Sequence, residues 1–164
     1  MPNDVGLNNT GTIEVRDWES LLCAGAQEVF QMMIGISLDK CAEDSSAQAG
    51  GYTSVIGLTG PINGVFAIRC DEPTAIGIAS GMLGIDAEAA KAEIWDALGE
   101  VCNMVIGNFK AKVGEMGEQS KLSVPTVIHG HDYRVRPLVN GSAVECIMQT
   151  ANGKMQFRLD YKLA

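Results

Sequence analysis

The stretch DAEAAKAEIWDALGEVCNMVIGNFKAKVG, residues 86–114, restricts the possible folds of this chain more than any other segment. With Asp86 as N-cap and Gly114 as C-cap it predicts one helix of 27 residues, about 40 Å long at 1.5 Å rise per residue. At roughly 100° per residue, Ile94, Trp95, Leu98, Val101, Cys102, Val105, Ile106, Phe109 and Val113 fall within an arc of about 140°. That arc is expected to face a core. Asp96, Glu100, Asn103 and Gly107 follow one another at spacings of four, three and four, and so form a stripe on the opposite, wet side. A helix this long with one apolar face needs a broad partner surface, and the rest of the chain must supply it.

Polar residues outside an amphipathic helix are usually only solvated surface. Two features set this stripe apart. Gly99 and Gly107 lie on or beside it, although an interior glycine costs a helix about 1 kcal/mol relative to alanine; small residues here would let another backbone come close. Asp96 and Glu100 also form an i,i+4 like-charge pair, which disfavours an isolated helix. Local stability alone would not select this pattern.

The remaining segments supply strands and shorter helices. Thr12 to Arg16 predicts a short strand, and Asp17 an N-cap for a helix running to Gly35. Residues 41–50, CAEDSSAQAG, predict a loop. Tyr52 to Leu58 and Gly64 to Cys70 flank TGPING as a hairpin, after which Asp71-Glu72-Pro73 opens a helix ending near Gly84. Beyond the long helix, Leu122 to His129, Tyr133 to Val139, Ser142 to Gln149 and Met155 to Tyr161 read as strands, with Asn152-Gly153 a tight turn between the last two. The fold class expected is α+β: long helices packed on a largely antiparallel sheet. The 164 residues suit one domain, large enough to bury about 70% of its unfolded surface.

An internal echo divides that domain. EVFQMMIG at 28–35 matches EVCNMVIG at 100–107, and TGPINGVFAIRCD resembles the C-terminal TANGKMQFRLD. Two pseudo-repeated units follow, copies of roughly 12–84 and 85–164 about a pseudo-twofold axis. In the first copy Ala24 stands where the second has Asp96, Glu28 where it has Glu100, and Gln31 where it has Asn103, a degraded version of the stripe.

Several functions are excluded or poorly supported. A net charge of -8 argues against nucleic acid, which needs clustered Lys and Arg. No apolar run approaches the 18 or so residues that span a bilayer, and MPNDVGLNNTG lacks the form of a signal peptide, so a cytoplasmic protein is expected. Cys23, Cys41, Cys70, Cys102 and Cys146 are odd in number, scattered and without a CxxC pair, which predicts reduced thiols. Cys102 falls on the apolar arc and should be an inert, buried thiol. His129 and His131 have no further ligand motif nearby and suggest a loop or strand end, so no metal site is expected. The methionines, including Met32, Met33, Met82, Met104 and Met116, fit core filling and adaptable contact surface. No Walker loop, GxSxG or HExxH is present.

Asp96-xxx-Glu100-xx-Asn103, with Pro125 some twenty residues on and PTVIHG (Pro125 to Gly130) behind it, resembles the signature of the CheC/CheX/FliY family of phosphatases. The single motif copy in the second half is CheX-like, and the likeness covers essentially the whole chain. One departure is the 21 residues between Asn103 and Pro125, where the family pattern has 22. The resemblance implies a CheC-like fold and hydrolysis of the aspartyl phosphate of a CheY-like response regulator. It further implies Glu100 and Asn103 as the catalytic pair: Asn103 orients the attacking water and Glu100 docks to the regulator's active-site lysine. Asp96, Gly99 and Gly107 would belong to the partner-binding surface. No cofactor is expected on this chain, Mg²⁺ being held by the regulator, and a homodimer formed through sheet edges is implied. The alternative from another class is a non-catalytic adaptor that recognises a signalling protein or a small ligand, though such a module would not need an intact acid–amide pair.

Overall fold

A computed structural model describes residues 17–41 and 51–164. The strand expected at Thr12 to Arg16, and the expected loop beyond Cys41, lie outside the described residues. The elements in chain order are α1 (Trp18–Val29), which widens into a π-helical turn at Phe30–Ile34, then β1 (Asp39–Lys40), β2 (Gly51–Thr59), β3 (Ile62–Cys70) and α2 (Glu72–Leu83). After them come α3 (Ala87–Ala90), a 3₁₀ turn at Lys91–Glu93, α4 (Ile94–Lys112) and α5 (Glu115–Gln119). Strands β4 (Lys121–Leu122), β5 (Thr126–Gly130), β6 (Ser142–Gln149) and β7 (Lys154–Leu163) complete the chain. The strands form one antiparallel sheet in the order β1-β6-β7-β3-β2-β4, with β5 also paired to β2. This is the α+β class expected.

Period-two burial tells how the sheet meets the helices. On β7, Met155, Phe157, Leu159 and Tyr161 are buried in alternation, and Ile56, Leu58, Phe66 and Ile68 extend the same apolar layer over β2 and β3. Onto that layer α1 and α4 lay their apolar stripes. Trp18 of α1 meets the ring of Phe109 of α4 edge-on at 5.4 Å and the ring of Tyr161 at 4.8 Å. Phe30 meets Phe157 edge-on at 5.8 Å. Each of these fully buried large side chains is worth roughly 1.5–3 kcal/mol of transfer free energy. The layer they form sets the height and rotation of α4.

The caps behave as their chemistry dictates at two of three sites. Asp71 accepts from the Thr74 N–H at 2.9 Å and Asp86 from the Ala89 N–H at 2.8 Å, while Gly35 and Gly84 end their helices at φ 74° and 63°. Asp17 precedes α1 but makes no capping hydrogen bond.

Five expectations need correction. The 27-residue helix is three pieces. A 3₁₀ turn separates α3 from α4 and rotates the upstream helix by roughly 60° relative to an unbroken α-helix; at the other end Val113 is the C-cap and Gly114, at φ 74°, turns into α5. Trp95, assigned to the core arc, is 48% exposed, whereas the other eight arc residues are buried. The strand Leu122 to His129 is split, because Pro125 has no N–H for the ladder and Ser123 instead bonds Gly57 in β2: its N–H donates to the Gly57 carbonyl at 2.9 Å and its Oγ accepts from the Gly57 N–H at 2.8 Å. The strand Tyr133 to Val139 does not join the sheet. The chain there must travel from Gly130, opposite Gly51, to Ser142, opposite Tyr161, so it runs across the strands instead of along them. Its alternation survives as half-buried and exposed residues, and Tyr133 anchors it on the helix-free face, with its hydroxyl 2.7 Å from Thr53 Oγ1 and its ring under the Arg69 guanidinium.

The fifth correction concerns the cysteines. Cys23 of α1 and Cys146 of β6 are joined in a disulfide, their Cα atoms 5.9 Å apart across 123 residues of sequence; Cys41, Cys70 and Cys102 are free thiols. Packing of α1 on β6 brings the pair together, a long-range fact that local spacing does not carry.

Candidate functional site

Asp96, Glu100 and Asn103 are all exposed on α4, on the side away from Val101, Cys102, Val105 and Ile106, whose exposure is zero. Because the core fixes the helix rotation through those residues, the outward direction of the stripe follows from packing and not from loop conformation. Among the described residues, no hydrogen bond, ion pair or ring contact engages these three side chains. Asp96 sits in the first turn of α4, where a carboxylate meets the positive end of the helix dipole. Asn103, further along, offers a carbonyl oxygen that accepts and an NH₂ that donates, without charge.

The two glycines differ. Gly99 is buried: a Cβ there would lie 3.4 Å from Cγ and 3.7 Å from Cβ of Pro125, so the close approach made possible by its small size is to the chain's own loop. Gly99 also lines a depression beside Asp96 and Glu100, so its small size serves the fit of Pro125 within that depression. Gly107 is half-buried, and a Cβ there would meet nothing within 4 Å, which leaves space over the helix at that point. Pro125, expected to follow the stripe, does so by packing beside it.

The first-half positions that the sequence echo aligns with the stripe are differently occupied. Glu28 accepts from Asn108 Nδ2 at 3.1 Å and pairs with Lys112 Nζ at 3.1 Å. The Asn108 amide first, and the Lys112 ammonium second, hold its carboxyl below the usual carboxylate range. Gln31 is exposed but lies in the π-helical turn and accepts from Ser37 Oγ at 3.4 Å. The acid of that half is already paired and its amide is carried on a differently wound turn.

Other candidates resolve simply. Cys102 is fully buried, donates to the Ser54 carbonyl at 3.6 Å, and burial pushes its thiol up to about 12, which makes it inert at neutral pH. His129 lies on β5, stacked on Tyr52 at 4.1 Å and edge-on to Trp95 at 6.1 Å, a packing role at a strand end. Among the described residues, no group of three or more His, Cys, Asp and Glu side chains converges on a metal position. Met32 and Met33 are 75% and 59% exposed and form contact surface, whereas Met82, Met104 and Met116 pack against the core.

Residues that periodicity did not single out also border the stripe. A shallow depression of about 510 Å³ is lined by Trp95, Asp96, Gly99, Glu100, Val124, Pro125 and Val127. Val124 is 84% exposed. The signal for it was present in Pro125, which breaks the ladder and must push its neighbour out of the sheet.

Solved structures share this architecture. A putative chemotaxis protein from Desulfovibrio vulgaris Hildenborough superposes with a TM-score of 0.78 at 27% identity, covering 89% of this chain and 97% of that one. A chain of the CheX-CheY-BeF3-Mg²⁺ complex from Borrelia burgdorferi superposes with a TM-score of 0.73 at 21% identity, covering 89% and 98%. Helices α1 and α4 on one antiparallel sheet thus define a CheC-like α+β protein. A family model described as "Chemotaxis phosphatase CheX" matches residues 52–149, more than half of the sequence. The chain belongs to that family. The CheY-P phosphatase CheX of Thermotoga maritima is 30% identical over 84 residues, a match spanning 51% of this chain and 54% of that protein, about half the relative's length.

Proposed function

We propose that this chain is a phosphatase that accelerates hydrolysis of the aspartyl phosphate on a CheY-like response regulator. The observation that carries the proposal is the acid–amide pair Glu100 and Asn103, exposed and unpartnered among the described residues on a helix whose rotation the core fixes. Family membership and the related CheX-CheY-BeF3-Mg²⁺ complex support it. An aspartyl phosphate is an acyl phosphate, which a regulator hydrolyses slowly with its own Mg²⁺ and lysine. Little covalent chemistry remains for a helper, so positioning of water accounts for most of the gain.

An amide suits that task. The Asn103 oxygen accepts a hydrogen bond from the attacking water, its NH₂ donates to the phosphoryl group or its surroundings, and its neutrality avoids repelling the anion. It is not a base, since a carboxamide has no useful basicity near neutral pH. Glu100, one turn earlier, pairs with the regulator's active-site lysine and sets the register of the docked helix. Asp96 extends the contact surface by a further turn. The catalytic Mg²⁺ belongs to the regulator and no cofactor is assigned to this chain.

The reading includes a cytoplasmic site of action, where response regulators are found, and is supported by the fact that no helix among the described residues is long and apolar enough to cross a membrane. It also includes homodimerisation through a sheet edge, for which the outer edge of β5 and the edge of β6 beyond its short pairing with β1 are the candidates. Two repeated halves are part of the same proposal. Aligning Asn63-Gly64 with Asn152-Gly153 sets Ile68 against Phe157, and those two residues lie directly opposite each other in the β3–β7 ladder, where a pseudo-twofold axis would cut the sheet.

The test is the decay of phosphorylated receiver domains, each loaded with a small phosphodonor, with and without the chain. Faster decay of one receiver supports the phosphatase. Tight binding of a receiver with no acceleration would replace it with the adaptor.

A further inference from the structure

The depression beside the stripe has a divided character. Its lining combines the carboxylates of Asp96 and Glu100 with Gly99, Pro125 and the apolar side chains of Trp95, Val124 and Val127. No lining side chain is cationic, so the two carboxylates face it uncompensated.

The apolar part of the lining is held in place. The Trp95 ring is packed edge-on to Tyr52 at 5.7 Å and to His129 at 6.1 Å, and those two rings are stacked on each other at 4.1 Å. Half of the Trp95 surface is still open. Val124 follows Ser123, which the two hydrogen bonds to Gly57 fix to β2, and it precedes Pro125, whose ring is packed against Gly99. An apolar side chain on so constrained a loop loses little entropy when it is covered. A fixed aromatic next to unpaired charge is the composition of a binding hot spot.

We infer that Trp95 and Val124 form the docking and specificity wall of the site, and that they seat an apolar side chain on the receiver-domain surface next to the cation that pairs with Glu100 and Asp96. The inference rests on the phosphatase reading and names how that site selects its partner. Charge complementarity commits the occupant: the carboxylates require a cation, and Trp95 and Val124 beside them an apolar group, within one partner. A small molecule fits the geometry poorly, because so shallow a depression leaves much of a ligand in water, whereas a protein surface covers the whole wall.

Docking residues act on complex formation and not on the reacting atoms. With the receiver domain identified by the decay assay, phosphorylated with acetyl phosphate, Trp95→Ala raises KM roughly tenfold or more, Val124→Ser raises it about threefold, and kcat stays within about twofold for both. Trp95→Phe, which keeps an apolar ring, recovers most of the loss. Val124→Ser guards against misfolding, since its side chain is 84% exposed and its removal leaves no cavity. An unchanged KM in both Trp95→Ala and Val124→Ser, or a fall in kcat at constant KM, overturns the docking role while the phosphatase reading stands. If the unaltered chain accelerates no receiver, the phosphatase reading fails, and the docking role with it.

Discussion

Severing the Cys23–Cys146 link tests how the two layers of this fold are held together. The disulfide closes 123 residues of sequence and ties α1 to β6. In the chain-entropy model a cross-link of that span removes roughly 4–5 kcal/mol of freedom from the unfolded ensemble. For a domain of this size that corresponds to a melting temperature lower by on the order of 10 °C when the link is cut, or a urea midpoint lower by about 2 M at a slope near 2 kcal/mol/M. The assay is urea unfolding of the oxidised chain, the reduced chain and the Cys23→Ala/Cys146→Ala double variant, with phosphatase activity measured well below the transition. Activity per folded molecule is expected to be unchanged, because neither sulfur touches α4's outer face and both are nearly sealed, at 3% and 4% exposure. A midpoint that does not move on reduction would refute the argument that this covalent link, and not packing alone, secures α1 to the sheet.

The proposed repeat and the open point on α4 can be probed with single substitutions. Gly107→Ala places a methyl group where nothing lies within 4 Å, so it is expected to stabilise the chain by about 0.5–1 kcal/mol, seen as a melting temperature raised by a few degrees. The same methyl group should raise KM if a receiver backbone packs there, and an unchanged KM would remove Gly107 from the contact surface. Gln31→Ala should be kinetically silent, since its neighbour Glu28 is paired with Asn108 and Lys112 and its own helix turn is π-wound. A large loss of activity in that variant would make the first half a second working centre. Glu100→Ala should weaken the complex with the phosphorylated receiver, and unchanged affinity would count against the pair with the regulator's lysine.

Much of the architecture was legible because it is written in local periodicity. The 3.6-residue repeat located α4 and put eight of nine arc residues in the core; the ninth, Trp95, sits where the 3₁₀ turn ends and is drawn sideways by Tyr52 and His129, which are distant in sequence. The β2–β3 and β6–β7 hairpins followed from turn chemistry at TGPING and Asn152-Gly153. Alternation alone misled at Tyr133 to Val139, because a segment laid across a sheet alternates in burial just as a paired strand does. At Pro125 the missing N–H was visible, but its outcome, a displaced Val124 beside Asp96 and Glu100, depends on where β2 lies. The exposure of Asp96, Glu100 and Asn103 was readable from the helix wheel; the burial of Gly99 was not, since it depends on a loop that returns from more than twenty residues away.

The proposed phosphatase mechanism requires a neutral amide to enter the reaction pocket of another protein, and Asn103→Ala measures that most directly. The assay is single-turnover decay of the phosphorylated receiver at saturating phosphatase, with affinity for the receiver measured in parallel. In that variant acceleration is expected to fall by on the order of a hundredfold while affinity stays within about twofold and the fold is unchanged. Retention of most of the acceleration by Asn103→Ala would contradict that mechanism.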